Sequence, residues 1–208
     1  MFISITHFLK EAESSFKDLS DNRKELLAKI GKYVATKTQA DEKAELIYIC
    51  THNSRRSHFG QIWAKVAASY YAFDNVETYS GGTESTAFNP NAINAIKSLG
   101  FVVKKEDETN NPRYTVLFGN GKESTTCFSK KYDDFSNPKE GFCAVMTCIE
   151  ADGACPFIPG ASLRVSTPYL DPKVYDNTDQ QDAQYAERSK QIAVETLYAF
   201  SVAKNFIS

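Results

Sequence analysis

The chain has little of what membrane, secreted and nucleic-acid-binding proteins are built from. Its 208 residues contain no apolar run near the roughly 20 residues that a membrane helix needs. The N-terminus has no basic start followed by an apolar stretch, so it does not resemble a signal peptide. The 24 basic residues nearly balance 26 acidic ones, and the net charge of −2 argues against a broad surface for nucleic acid. We therefore expect a cytoplasmic protein whose partners include neither a membrane nor a nucleic acid.

Cysteine is present, but not in the pattern of a disulfide framework or a zinc site. The five cysteines, an odd number, are Cys50, Cys127, Cys143, Cys148 and Cys155. No histidine lies near the last four, and no two cysteines form a C-x2-C pair, which argues against zinc. In a reducing compartment a cysteine is a buried small hydrophobe, a metal ligand or a reactive thiol. We expect Cys127 and Cys143 to fill core space.

Apolar runs alternate with helical patterns along most of the chain. The apolar runs predict four strands, at 46–50, 76–80, 142–148 and 163–168. A helix is expected after each of the first two strands, and a long helix at the C-terminus. Strands that alternate with helices indicate an α/β protein with a doubly wound, mainly parallel sheet and flanking helices. In such sheets ligands bind beyond the carboxyl ends of the strands, where two of the cysteines lie.

The N-terminal part lies outside this alternation. Residues 4–18 have the periodicity of an amphipathic helix, and a second helical pattern follows Ser20 and Asp21. Residues 36–45 are expected to form a linker. The chain is thus predicted to have a helical N-terminal extension over 1–44 and an α/β domain over 45–208.

An insertion is also predicted within the α/β domain, at about 104–140. Residues 113–128 have the pattern of a β-hairpin around the Gly-Asn-Gly turn at 119–121. Such a hairpin could cover a site at the edge of the sheet.

A cysteine ends the first predicted strand, and an arginine and a serine begin the helix that follows. The spacing is C-x5-R-S, with Cys50, Arg56 and Ser57 on a strand-to-helix turn. Backbone N–H groups of such a turn can point inward and bind an oxyanion, while the Arg56 guanidinium holds two of its oxygens. The same positive field and the Ser57 hydroxyl favour a thiolate at Cys50. A thiolate beside a tetrahedral oxyanion is placed to attack its central atom.

The remaining residues of the turn complete the predicted oxyanion-binding loop. Asn53 and Ser54 are expected to brace it, because Asn tolerates left-handed backbone and both side chains bond locally. Thr51, His52 and Arg55 belong to the same loop, but His52 is not expected to act as a base and the side chain of Arg55 has no evident task. The alternative is that the cysteine simply ends a buried strand and the two arginines start a solvated helix.

Two more cysteines lie in the segment TCIEADGACPFIPGA at 147–161. The segment is predicted to be a polar loop that can refold and bring Cys148 and Cys155 together. One interpretation is a redox pair, in which one thiol resolves a covalent intermediate on Cys50 and the other resolves the resulting disulfide. The alternatives are a structural pair of buried cysteines or a zinc site that includes the other two cysteines.

A carboxylate is needed if an oxygen is to leave as water. Asp171 lies before a proline in a loop that follows a predicted strand, and it could protonate the departing oxygen. Asp-Pro is also a common turn initiator. Glu150 and Asp152 are rival carboxylates.

Together these segments resemble the low-molecular-weight protein tyrosine phosphatase family, and within it the thioredoxin-coupled arsenate reductases. The resemblance covers 46–100 and 142–205, and it rests on CTHNSRRS, YSGGTESTAFNPNAINAIKSLG, TCIEADGACPFIPGA and the Asp171-Pro172 pair. The phosphatases typically have a large apolar residue where this chain has Ser54, and an aromatic pair where it has Lys173-Val174. They also normally lack the second cysteine pair. These differences favour the reductase branch.

The resemblance implies a mechanism for each site residue. Cys50 would attack the arsenic of an arsenate held by the loop and Arg56, while Asp171 protonates the leaving oxygen. Cys148 would then attack Cys50 and release arsenite, and Cys155 would attack Cys148 to form a disulfide that thioredoxin or a similar thiol reductant reduces.

Other functions and requirements remain open at this level. One alternative is a phosphatase that hydrolyses phosphotyrosine or small phosphoesters through a phosphocysteine, and another is a non-enzymatic oxyanion-binding or redox-sensing module. No cofactor is expected, and potassium is not predicted, because Gln61 and Thr86 replace a glutamate and a histidine that some reductases use around that ion. The oligomeric state stays open.

Overall fold

The computed structural model describes residues 1–121, 123–155 and 157–207. In chain order the helices of this part are α1 (Ile3–Ser14), α2 (Asp21–Gln39), α3 (Arg56–Tyr70), α4 (Pro90–Ser98), α5 (Ile149–Ala154) and α6 (Gln181–Ile207). The strands are β1 (Ala44–Cys50), β2 (Val76–Gly82), β3 (Val102–Lys105), β4 (Tyr114–Leu117), β5 (Ser124–Cys127), β6 (Phe142–Met146) and β7 (Ala161–Ser166). Two 3-10 helices cover Ser15–Asp18 and Pro172–Tyr175. None of these helices is long and apolar enough to cross a lipid bilayer.

A parallel sheet of four strands lies at the centre of the fold, in the order β2-β1-β6-β7. β1 pairs in parallel with both β2 and β6, and β6 pairs in parallel with β7. Residues 46–50 of β1 are all buried, because this strand has a neighbour on each edge and packed side chains on each face. The prediction of an α/β fold with a mainly parallel sheet is confirmed.

Apolar side chains fill the space on both faces of the sheet. The larger core joins Leu46 and Tyr48 of β1 to the apolar faces of α1, α2, α3, α4 and α6. On the other face, Ile47 and Ile49 pack with residues of β6 and α5. Alternate residues of one strand therefore serve two cores, as the two-residue period of a strand requires.

The N-terminal helices pack against the C-terminal helix. α2 lies along α6, and Gly31 permits the close approach, because a Cβ at this position would lie 2.4 Å from the carbonyl oxygen of Ala199. The hydroxyl of Ser20 caps α2 and accepts a hydrogen bond from the backbone N–H of Arg23 at 3.3 Å. Gly31 thus sets the distance between the two helices, and Ser20 fixes the start of α2.

The expected linker over 36–45 is wrong. α2 continues to Gln39 and β1 begins at Ala44, because the last turns of α2 still bury apolar side chains. The division into an extension over 1–44 and a domain over 45–208 stays a prediction.

A second sheet covers the β2 side of the fold. It is antiparallel, in the order β3-β4-β5, and it contains the hairpin expected over 113–128 together with a third strand, β3. Gln61 of α3 links the two sheets. Its Nε2 donates to Thr125 Oγ1 at 3.0 Å and to the Thr126 carbonyl at 2.9 Å, and its backbone carbonyl accepts from the Thr78 hydroxyl of β2 at 3.0 Å.

Candidate active site

The carboxyl ends of β1, β2 and β6 meet at one edge of the parallel sheet. Cys50 ends β1 and pairs with Gly82 at the end of β2. A Cβ on Gly82 would lie 2.6 Å from the Thr51 carbonyl oxygen and 2.8 Å from the Asn53 nitrogen. Glycine at this position therefore allows the loop after β1 to fold back against β2.

The loop over 51–55 turns its carbonyl groups outward. The carbonyls of Thr51 and Ser54 accept hydrogen bonds from the backbone N–H groups of Glu84 at 2.8 Å and Asn89 at 3.0 Å. Within the described part of the chain, no backbone N–H of residues 51–55 donates a hydrogen bond. These N–H groups are therefore available to an anion, as in other anion-binding turns.

Polar side chains surround the thiol of Cys50. The Ser57 hydroxyl lies 3.1 Å from Cys50 Sγ, and Asn53 Nδ2 donates a hydrogen bond to that hydroxyl at 2.8 Å. Asn53 has a positive φ of 44°, and its Oδ1 accepts a hydrogen bond from the backbone N–H of Lys130 at 2.8 Å. The amide of Asn53 thus fixes both the bend of the loop and the hydroxyl that faces the thiol.

Arg56 is engaged by a carboxylate and a carbonyl. Its Nη2 donates to Asp171 Oδ2 at 2.7 Å, and its Nη1 donates to the backbone carbonyl of Tyr169 at 2.8 Å. The space above Cys50, lined also by Arg56 and Asp171, is only about 10 Å³. That is about the space of one water molecule. An oxyanion that binds Arg56 through Nη2 must displace the Asp171 carboxylate from this nitrogen.

Arg55 has partners that the sequence did not suggest. Its Nε donates to the Tyr185 hydroxyl at 2.8 Å and lies 3.9 Å from Asp171 Oδ1, while its Nη2 lies 3.6 Å from Asp176 Oδ2. The Tyr185 hydroxyl in turn donates to Asp176 Oδ1 at 2.7 Å. Burial and the Asp176 carboxylate raise the pKa of Tyr185 to about 12, so it acts as a hydrogen-bond donor at neutral pH. Arg55 therefore braces the far side of Asp171.

The predicted polar loop over 147–161 is wrong in its central part. Residues 149–154 form α5, and Cys148 caps this helix, because its extended backbone lets Sγ accept from the Ala151 N–H at 3.4 Å. Cys155 follows the last helical residue. Pro156 lies outside the described residues.

Cys148 is the second thiol at the sheet edge. It is fully buried, and its Sγ lies 3.5 Å from the Thr51 hydroxyl. Burial, together with the nearby Cys50, raises the pKa of the Cys148 thiol, while the Thr51 hydroxyl and the Ala151 N–H act in the opposite direction. Cys148 is therefore a protonated thiol beside the anion-binding loop.

The other two cysteines and the rival carboxylates lie elsewhere. Cys127 and Cys143 belong to the larger core, where burial raises the pKa of both thiols. Asp152 bonds to Arg164 and accepts a hydrogen bond from Ser166 at 2.8 Å. Among the three carboxylates considered from the sequence, Asp171 is the one that bonds to Arg56.

Three further polar residues of this region have other contacts. The Ser54 hydroxyl donates to the Ala87 carbonyl at 2.8 Å, and the Thr86 hydroxyl donates to the His52 carbonyl at 3.1 Å. The imidazole of His52 lies 3.7 Å from a carboxylate oxygen of Glu84 at the protein surface. Among the described residues, no group of three or more His, Cys, Asp and Glu side chains is arranged to hold a metal.

His58 follows the anion-binding loop but is neutral. Its ring is fully buried, with Nδ1 3.2 Å from the Ser80 hydroxyl and the ring centroid 4.1 Å from that of Phe88. Burial, with the positive charge of Lys130, lowers its pKa to about 3. A general acid or base with this pKa would be ineffective at neutral pH, so we assign His58 to the support of the loop.

Comparisons with known proteins agree with this geometry. No protein-family model matches the chain. An arsenate reductase from Halalkalibacterium halodurans is 26% identical over 139 residues, which cover 67% of this chain and 81% of that protein. Among solved structures, a YwlE mutant from Bacillus subtilis matches with a TM-score of 0.50 at 14% identity, covering 76% of this chain and 98% of that one.

A low-molecular-weight phosphotyrosine phosphatase from Vibrio cholerae O395 has a TM-score of 0.49 at 12% identity, covering 74% of this chain and 93% of that one. The chain is therefore similar in sequence to an arsenate reductase over two thirds of its length, and its fold is that of the YwlE structure.

Proposed function

We propose that the chain is a cytoplasmic arsenate reductase that works through Cys50 and a relay of Cys148 and Cys155. The observation that carries the proposal is the position of Cys148, which lies at the edge of the anion-binding loop and contacts Thr51. A phosphatase returns its cysteine to the free state with water and has no use for a second thiol there. The similarity to arsenate reductases supports the same conclusion.

The first step forms a bond between sulfur and arsenic. Arsenate binds to the N–H groups of the loop and to Arg56, which exchanges its bond with Asp171 for bonds to the oxyanion. The Cys50 thiolate attacks arsenic, and Asp171 donates a proton so that one oxygen leaves as water. Ser57 donates a hydrogen bond to the Cys50 sulfur before the attack. The product is an As(V) thioester of Cys50.

The second step reduces arsenic. The Cys148 thiol loses its proton and attacks the Cys50 sulfur, forming a disulfide between them. The two electrons of the broken S–As bond remain on arsenic, which leaves as As(III) in arsenite. The close position of Cys148 to the loop supports this order of thiols.

The third step requires α5 to unfold. Cys148 and Cys155 are seven residues apart at opposite ends of a helix, which corresponds to about 10 Å between their Cα atoms. A disulfide needs Cα atoms about 4.4–6.8 Å apart. A helix of six residues is marginally stable, so it can open at small cost and bring the thiols together.

The relay ends at the protein surface. The side chains of Ile149 and Phe157, which flank the two cysteines, are 70% and 74% exposed. An opened α5 would present the Cys148–Cys155 disulfide between these apolar side chains. We propose a protein dithiol of the thioredoxin type as the reductant.

A phosphatase is the second candidate, since the loop, Arg56 and Asp171 would serve a phosphoester equally well. It predicts steady hydrolysis of an aryl phosphate without any thiol reductant, and loss of that hydrolysis in Cys50→Ser. Under this function Cys148→Ser and Cys155→Ser would remain fully active.

The decisive assay measures arsenite production with thioredoxin, thioredoxin reductase and NADPH. We expect turnover in the wild-type protein and in the control Cys127→Ala, which removes a core thiol. We expect none in Cys50→Ser, Cys148→Ser or Cys155→Ser. Unchanged turnover in the last two variants would exclude the relay.

A further inference from the structure

The N-terminal helices reach the loop that carries Asp171. We call residues 167–171, which follow β7, the acid loop. Arg23 of α2 places its guanidinium 4.9 Å from the ring centroid of Tyr169 in the middle of this loop. Its Nη2 also donates to the carbonyl of Pro168 at 3.5 Å. One side chain of α2 thus contacts two consecutive residues of the acid loop.

A buried carboxylate joins the same contact. Glu195 of α6 is 3% exposed, and its Oε2 accepts hydrogen bonds from Arg23 Nε at 2.8 Å and from the Tyr169 hydroxyl at 2.8 Å. Its Oε1 accepts from Gln191 Nε2 at 3.2 Å. A carboxylate this deeply buried needs a cation and several donors, and Arg23 supplies the cation.

The backbone of Tyr169 connects this cluster to the anion site. Its N–H donates to the carbonyl of Thr147, and its carbonyl accepts from Arg56 Nη1 at 2.8 Å. Asp171, two residues later, holds the other terminal nitrogen of Arg56. The ring of Tyr169 is therefore fixed from α2 and α6, while its backbone fixes the guanidinium that faces Cys50.

We propose that Arg23, through Glu195 and Tyr169, is a positioning residue for Arg56 and Asp171. The helical pair α1–α2 is then part of the support of the anion site and not only a cover for α6. The effect on arsenate turnover rests on the proposed function, whereas the effect on loop order and on anion binding does not.

Arg23 can position the acid loop because several contacts converge on the side chain of Tyr169. With Arg23 and Glu195 present, the Tyr169 side chain has a cation on its face and an acceptor for its hydroxyl. Without the pair, the ring loses the cation on its face and the charged acceptor of its hydroxyl. The backbone of Tyr169 is then held only by its own bonds to Thr147 and Arg56, so we expect the carbonyl that accepts from Arg56 to become more mobile.

The test removes the ion pair without leaving a buried charge unpaired. The double variant Arg23→Gln/Glu195→Gln is compared with wild type and with Lys29→Gln, which removes an exposed positive charge from the same helix. Hydrogen exchange is measured by mass spectrometry, with attention to peptides of the acid loop, β1 and α6. Phosphate affinity is measured by calorimetry.

We expect amides of the acid loop to exchange about tenfold faster in the double variant, the factor of one lost charge-assisted hydrogen bond. Phosphate should bind about tenfold more weakly, with β1 unchanged and Lys29→Gln indistinguishable from wild type. Arg23→Lys alone keeps the charge, so its exchange in the acid loop and its phosphate affinity should lie between those of the wild type and the double variant. In protein that reduces arsenate, the double variant should have a lower kcat/KM for arsenate than the wild type.

Two results would overturn the inference. One is an acid loop whose exchange and phosphate affinity are unchanged in the double variant. The other is faster exchange spread evenly over β1, α6 and the acid loop, because that pattern means general destabilisation. Both readouts apply even to a protein that produces no arsenite, so failure of the proposed function is a separate outcome.

Discussion

The hydroxyl of Thr51 lies 3.5 Å from the Sγ of Cys148, although 97 positions separate the two residues. The contact exists because β1 and β6 are parallel neighbours whose carboxyl ends meet at one edge. It places a second sulfur next to the loop that carries Cys50. Under the proposed function, this second sulfur decides whether the Cys50 intermediate is resolved by a thiol or by water.

The stability of α5 should control the relay. Gly153 lies inside this helix with no atom near the position of a Cβ, so Gly153→Ala fits and should stabilise the helix by about 1 kcal/mol. We expect multiple turnover to fall by up to about fivefold, while formation of the Cys50–Cys148 disulfide in a single turnover keeps its rate. Quenched-flow mass spectrometry separates the two. If Gly153→Ala has the wild-type rate in multiple turnover as well as in single turnover, α5 need not open.

Formation of the first disulfide should accelerate with pH. Because burial and Cys50 raise the pKa of Cys148 above its ordinary value, only a small fraction of this thiol is ionised at pH 7. The attacking species is the thiolate, so the rate should rise about tenfold per pH unit between pH 7 and 8.5. The measurement uses Cys155→Ser, in which the reaction stops at the Cys50–Cys148 disulfide. A rate that is flat over this range would contradict the assigned order of thiols.

Removing the charge of Asp171 should separate binding from chemistry. In Asp171→Asn the guanidinium of Arg56 no longer faces a competing carboxylate, so phosphate should bind several-fold more tightly. The proton donor is lost, and turnover should fall by about 10²–10⁴-fold. Calorimetry with phosphate and the arsenite assay report the two effects. Asp179→Asn, an exposed change in the following segment, should alter neither phosphate binding nor turnover. Weaker phosphate binding in Asp171→Asn would show that Asp171 does not compete with the anion for Arg56.

His58 should make the fold sensitive to acid. Its pKa is about 3 in the fold against 6.5 for an ordinary histidine, so between these pH values the unfolded chain binds a proton that the folded chain does not. Stability is therefore lost as pH falls below about 6.5, and this residue alone should remove about 2 kcal/mol at pH 5. Urea unfolding at pH 7 and pH 5 measures the loss.

The matched variants are His58→Gln and His7→Gln, the second at an exposed position. The pH-dependent loss should shrink by about 2 kcal/mol in His58→Gln and persist in His7→Gln. An identical loss in all three proteins would mean that His58 does not carry it.

The anion-binding role of the loop after β1 stays a prediction, but the position of the loop could be predicted from the sequence because its determinants are local. Cys50, Arg56 and Ser57 lie within eight positions of one strand-to-helix turn. The partners of Arg55 could not be predicted in this way. Tyr185 is 130 positions away, and nothing in the sequence of its helix indicates that its hydroxyl reaches Arg55.

Two secondary-structure elements escaped prediction for physical reasons. α5 has six residues, one of them glycine, and its cap is a thiol, so neither propensity nor an ordinary capping residue marks it. β3 is a mostly exposed strand of the sequence Val-Val-Lys-Lys, which has no apolar alternation. It forms because β4 offers an unpaired edge, which is a tertiary effect.

The Arg56–Asp171 pair occupies a guanidinium nitrogen that an oxyanion would bind, so we expect anion binding to wait for this pair to open. The observed rate of phosphate binding in stopped flow should then level off at high concentration, at the speed with which the Arg56–Asp171 pair opens. Salt that weakens this pair should raise that plateau. Inhibitor searches should therefore include the Asp171→Asn variant, in which this carboxylate no longer competes for Arg56.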